Sequence, residues 1–141
     1  MSSRINHMAV FASAVVFFVL GWIWYDALFG HQWMALTGIA QKSAPAMGPA
    51  LGATFVLEWV LAYVIAIALA DTTNPNPARH GAEFGVFMAI GVFGTMLGVN
   101  YVNEGRGLEL WAINTGYVAI GMGLMGAIVG AWRKKAVSAA A

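Results

Sequence analysis

The chain has 141 residues, of which 60% are hydrophobic and 9% charged, with a formal net charge of +1. That balance lies far outside the soluble globular range and defines an integral membrane protein. With basic residues gathered only at the chain end there is nothing to hold a nucleic acid. The absence of cysteine excludes disulfides, thiolate metal sites, Cys-attached haem and cysteine nucleophiles.

A bilayer-crossing helix needs about 20 apolar residues, so four spans with short connections use nearly the whole length as a single membrane domain, 1–141. The first span is predicted over residues 8–28. A basic start before an apolar run also outlines a cleaved signal peptide, but the uncharged stretch from Met8 to Tyr25 exceeds the roughly 7–15 residues of such a segment. It also continues into Gly21-Trp22-Ile23-Trp24-Tyr25 where a small-residue cleavage site would be needed, so the span reads as a retained anchor. Trp22, Trp24 and Tyr25 mark its end as an interfacial aromatic belt. In the connector from Asp26 to Met47, the residues Trp33, Met34, Leu36 and Ile39 predict a short amphipathic helix lying on the membrane surface.

The second span, residues 49–70, organises the rest because it carries Glu58 near its middle. A carboxylate at the bilayer centre costs about 2.5 to 3.5 kcal/mol on the insertion scale, whereas ten Leu, Ile, Phe and Val residues return about 0.3 to 0.6 kcal/mol each. Insertion is therefore at least balanced. Thr54, Glu58, Ala62 and Ala66 recur every four residues and share one helix face, while Phe55, Leu57 and Trp59 point elsewhere. A small, polar stripe belongs against protein and away from lipid. Glu58 then reads either as a proton carrier or ligand anchor, or as a structural hydrogen-bonding cross-link between helices.

Two Asn-Pro steps in Thr72-Thr73-Asn74-Pro75-Asn76-Pro77 predict a tight extended loop. Arg79, His80 and Glu83 follow, and the third span is predicted over 84–102, carrying Gly85, Gly91, Gly94 and Gly98. Asn103 to Glu109 is a polar turn. The fourth span, 109–132, is closed by Arg133-Lys134-Lys135. Arg4, Arg79, Arg133, Lys134 and Lys135 fall on one side of the membrane, against Lys42 and Arg106 on the other, which predicts cytoplasmic N and C termini and a place in the cell inner membrane. The expected fold is all-α, an integral membrane four-helix bundle of antiparallel hairpins.

On that topology the polar residues share the outer half of the membrane. Asp26 ends the first span there, Asn100 and Tyr101 end the third, Asn114, Thr115 and Tyr117 open the fourth, and Glu58 lies below them. They predict a polar recess open to the outer side with Glu58 at its floor, Asn100, Tyr101, Asn114 and Tyr117 as hydrogen-bonding partners, Asp26 nearby, and Arg106 or His31 as a counter-charge at the rim. The bland alternative, strongest for Asn103, Glu104 and Glu109, is that such residues cap helix ends and cross-link helices. Gly94-x-x-x-Gly98 and Gly126-x-x-x-Gly130 are packing motifs, joining spans three and four or the subunits of a homo-oligomer. A Trp-x-x-x-Thr-Gly pattern occurs twice, at Trp33 and Trp111, and the same offset aligns Asp26 with Glu104, a faint echo of two hairpins in parallel repeat. His7, His31 and His80 lie in different segments and predict no metal site, no cofactor is implied, and no motif marks an enzyme.

Gly21-Trp22-Ile23-Trp24-Tyr25, Phe29-Gly30 and Trp33-Met34, together with Asn100-Tyr101, Glu104-Gly105-Arg106 and Leu110-Trp111-Ala112-Ile113-Asn114-Thr115-Gly116-Tyr117, resemble the small four-span membrane family known as domain of unknown function 1761. The likeness covers residues 8 to 132, with two departures: Asp26 where the family has an uncharged residue, and His31-Gln32 where a lysine is usual. It implies an integral membrane protein and assigns no activity. The expected function is the binding or transport of a small solute or proton through the recess. The alternative is an accessory or scaffolding subunit within a homo-oligomer or a larger membrane complex, surrounded in either case by membrane lipid.

Overall fold

The structure, a computed structural model, describes residues 5–39 and 44–134. Arg4, Lys42 and Lys135, which enter the orientation argument, lie outside the described residues. Among the described residues every regular element is a helix. Four are long and apolar enough to cross a membrane: α1 (His7–Leu28), α3 (Ala44–Leu69), α4 (Pro77–Glu104) and α5 (Leu108–Ala131). The short α2 (Gly30–Thr37) links the first two and ends where Gly38 turns left-handed at φ 67°. Large side chains point outward all round the bundle, Leu57 and Phe87 at 69% exposure and Val102 at 81%. In water such a surface would aggregate, whereas against acyl chains it is the expected one.

Helix α5 is the central element. Half of its most apolar window is buried, against 17 to 28% in the other three long helices. It packs on α1, α3 and most closely on α4, while among the described residues α3 and α4 make no extended contact with each other. The close α4–α5 approach is made by glycine: a Cβ added at Gly81 would overlap the carbonyl of Gly126, one at Gly126 would overlap the carbonyl of Gly81, and one at Gly130 would overlap that of Pro77. Gly126 and Gly130 thus join helices within the chain. Gly94 and Gly98 also face α5, against Thr115 and Trp111. Between lipid-exposed helices this backbone proximity is what supplies association, since hydrocarbon gives no hydrophobic drive.

Two spans contain a π-helical turn, Ile23–Leu28 in α1 and Ala89–Gly94 in α4. The second has a clear packing reason. Gly81, Gly85 and Ala89 recur every four residues and are buried, and the next small residues against α5 are Gly94 and Gly98, five and then four further on. A π turn accommodates the extra residue and keeps the small-residue face in phase on both sides of it. Neighbouring groups serve the altered backbone, with the Trp111 Nε1–H donating to the Gly94 carbonyl at 2.7 Å.

The start of α4 differs from expectation. The Asn-Pro steps predict an extended loop followed by a span from residue 84, whereas α4 already begins at Pro77. Asn76 caps it, its side chain accepting from the Arg79 N–H at 3.2 Å, and Pro77 fills the first helical position, where its missing N–H costs nothing. Arg79 and Glu83 then pair across one turn at 2.8 Å. The copies of the Trp-x-x-x-Thr-Gly pattern lie on helices whose starts, Gly30 and Leu108, keep the offset of the echo, but α2 stops at Gly38 and α5 runs on through Gly116.

At the end of the bundle near both termini, Asn6 caps α1 by accepting from the Met8 and Ala9 N–H groups, and its Nδ2 donates to the Trp132 carbonyl at 2.6 Å. The Arg133 guanidinium donates to the Thr72 carbonyl, tying α5 to the loop after α3. Asn6→Ala removes the cap and the strap together and is expected to cost about 1 kcal/mol, with an upper bound near 2, read as a lower midpoint of unfolding in a denaturing detergent. An unchanged midpoint would show that the cap is replaced by headgroups or water.

Candidate recess around Glu58

The face of α3 that carries Glu58 turns inward. Ala62 and Ala66 are buried at 0% and 4% exposure, and Glu58 itself is 8% exposed. It is reached by Tyr117 from α5, whose hydroxyl donates to Oε1 at 2.8 Å. That hydroxyl also lies 3.4 Å from the Phe17 carbonyl of α1, so one side chain joins three helices. Gly21 permits this: a Cβ there would come within 2.9 Å of the Tyr117 hydroxyl oxygen. The Tyr117 ring sits 4.9 Å from the rings of both Phe17 and Tyr25. The other carboxyl oxygen, Oε2, is buried and has no hydrogen-bond partner among the described residues. Thr115 Oγ1 is buried in the same condition, but Thr115 faces Gly94 at the α4 contact.

A second group of hydrogen bonds is centred on Asn114. Its Oδ1 accepts from the Tyr25 hydroxyl at 2.8 Å and its Nδ2 donates to the Tyr101 hydroxyl at 2.7 Å. Tyr25 comes from the π turn of α1, and Trp24 beside it donates to the Ile113 carbonyl at 3.0 Å. Among the described residues no hydrogen bond joins the Glu58–Tyr117 pair to the Asn114 group, although the two tyrosine rings touch.

Both groups border a cleft of about 660 Å³ between α3 and α4, floored by α5. Thr54, Leu57, Glu58 and Leu61 form one wall. The other is apolar, from Met88, Val92, Phe93, Met96 and Leu97 on α4, and the floor includes Asn114, Tyr117 and Met122. A further cavity of about 660 Å³ lies beneath α2, bounded by Asp26, His31 and Trp33, and Tyr25 and Thr54 border both.

The structure therefore brings Glu58, Tyr117, Asn114 and Tyr101 together, the last through Asn114. Asp26 lines the neighbouring cavity. Asn100 is exposed on α4 and lines neither, and Arg106 turns to Glu104 at 2.5 Å with its guanidinium 5.7 Å from the Tyr101 ring. The sequence predicts Tyr25 as an interfacial belt residue, yet it holds Asn114 and borders the cleft. Nothing in the sequence marks the π turn that directs it there.

Four apolar spanning helices enclosing one small set of polar side chains define a polytopic helical membrane protein with an internal recess. The chain belongs to the family described as "Protein of unknown function (DUF1761)", which matches residues 8–130. No curated protein and no solved structure matches the chain.

Proposed function

We propose that this membrane protein binds a small molecule in the cleft between α3 and α4, with the Glu58 carboxyl as anchor and Tyr117 holding it in place. The reading also takes both termini as cytoplasmic, in the cell inner membrane, and the chain as a binding or transport protein without catalytic activity. One observation carries it: a carboxyl that is expensive to keep in a membrane has one oxygen held by Tyr117 and the other without a partner, beside a cleft large enough for a ligand. A purely structural cross-link would be expected to satisfy both oxygens. Binding is favoured over proton conduction because the hydrogen bonds fall into two unconnected groups.

Glu58→Gln tests it, being nearly isosteric. Native mass spectrometry of the protein released from lipid should show a bound small molecule on the unmodified chain and none on the variant, with helicity and mass of the assembly unchanged. A variant that cannot assemble would identify Glu58 as structural and end the binding reading.

The accessory-subunit alternative now rests on Gly48 and Gly52 of α3, where an added Cβ would meet nothing within 4 Å among the described residues. Such a free small-residue face suits a neighbouring helix. A Gly48→Leu, Gly52→Leu double variant with an unchanged assembly mass would count against it.

A further inference from the structure

The cleft's hydrogen-bonding inventory is one-sided. Most of its donors are already used, the Tyr117 hydroxyl on Glu58, the Tyr25 hydroxyl on Asn114, the Thr54 hydroxyl on the Ala50 carbonyl and one Asn114 N–H on Tyr101. What is left over at Glu58 is an acceptor, Oε2, and the side chain that carries it is more than nine-tenths buried. Among the described residues no lysine, arginine or histidine lines the cleft, so its one carboxyl faces no cation there. Apart from Thr54, Asn114 and the two tyrosines, the rest of the lining is aliphatic, aromatic or methionine. An anionic head, a fatty acid or a phosphate, would find at most the second N–H of the Asn114 amide and would face a carboxyl.

The direction of access follows from the packing. Helices α3 and α4 stand apart while each packs on α5, so the cleft between them faces sideways. Its rim residues are outward and apolar, Leu57, Val92 and Met96 being exposed at 69%, 50% and 60%. In a bilayer that opening meets acyl chains.

Resting on the binding role given to Glu58 above, we infer that the ligand class is a lipophilic amine, an apolar body with one ammonium head, which enters from the bilayer between α3 and α4. The ammonium donates to Glu58 Oε2 and supplies the missing opposite charge, while the body lies along Leu61, Val92 and Met96. An ammonium has three donors and no acceptor, which matches a site whose spare capacity is to accept. The cleft volume of about 660 Å³ lies within the usual range for a small-molecule site.

The test uses the full chain in nanodiscs of zwitterionic phosphatidylcholine, labelled by a dodecylamine that carries a photoreactive diazirine on its tail. Labelling is expected on α3 and α4 around Leu57 and Met96. Dodecylamine should displace the probe at a concentration at least tenfold lower than dodecanol, and laurate should not displace it. Glu58→Gln should weaken the amine at least tenfold and leave the alcohol unchanged, and Leu61→Trp, which fills the cleft while keeping the carboxyl, should abolish labelling by either. Equal competition by alcohol and amine, or a Glu58→Gln variant that binds amine normally, overturns the amine assignment while leaving a bound molecule in the recess. Labelling spread evenly over all lipid-facing helices, or a native mass showing a second copy that shields α3 and α4 from the probe, overturns the recess itself.

Discussion

Gly126→Val is expected to separate α4 from α5 and to destabilise the bundle by about 3 kcal/mol or more, the upper end of what overpacking costs. The reason is what the added carbon meets. A Cβ at Gly126 runs into the carbonyl of Gly81, and one at Gly81 runs into the carbonyl of Gly126. A side chain in the way can change rotamer, but a backbone carbonyl inside a spanning helix moves only if the whole helix moves. Helix α4 has α5 as its one extensive neighbour among the described residues, so nothing else holds it in register. Gly52→Val provides the control, because a Cβ at Gly52 meets nothing within 4 Å among the described residues. A detergent-unfolding titration should therefore shift strongly for the first variant and not for the second. Equal midpoints for both would mean that the α4–α5 contact does not hold the fold together.

The second large effect belongs to Tyr117. Tyr117→Phe keeps the ring against Phe17 and Tyr25 but deletes the hydroxyl that donates to Glu58 Oε1, leaving both carboxyl oxygens without a partner. A buried polar group stripped of its partner costs about 1 to 3 kcal/mol. Side-chain hydrogen bonds measured inside membranes fall lower, averaging about 0.6 kcal/mol with a maximum near 1.7. A double-mutant cycle of Tyr117→Phe with Glu58→Ala, which leaves no acceptor for the hydroxyl, is accordingly expected to give a coupling of about 0.6 to 1.7 kcal/mol in unfolding free energy. Strict additivity would show that the two side chains do not interact in the folded protein. The cycle also separates structure from binding, since the coupling concerns Oε1 and the ligand is assigned to Oε2.

The inward turn of Glu58 could be read from spacing alone. Small residues at every fourth position leave only one face of α3 on which an acid can be kept away from lipid, and Ala62 and Ala66 are indeed among the most buried residues of the chain. The four-span, all-helical architecture was equally legible, because composition and run length decide it. Other features were hidden for physical reasons. Which glycines meet is a matter of register between helices distant in sequence, so Gly126 could be recognised as a packing residue but its partner Gly81 could not. Asn100 and Tyr101 are adjacent at the end of one span, and a helix turns adjacent residues about 100° apart. Tyr101 meets Asn114 while Asn100 is exposed. The α4 wall of the cleft carries no polar residue to announce it and became visible only once α3 and α4 were seen to stand apart.

The extra residue held within Ala89–Gly94 makes the wide turn itself as consequential as the side chains it carries. Were that turn wound into regular α-helix with all its residues kept, everything beyond it would swing by roughly 100°. Gly94 and Gly98 would leave α5, the Trp111 indole would lose its carbonyl, and Met96 and Leu97 would turn off the cleft together. Deleting one residue there would instead give a regular helix with the small-residue face still in phase, so the segment tolerates the loss of its extra residue but not the loss of the turn that absorbs it.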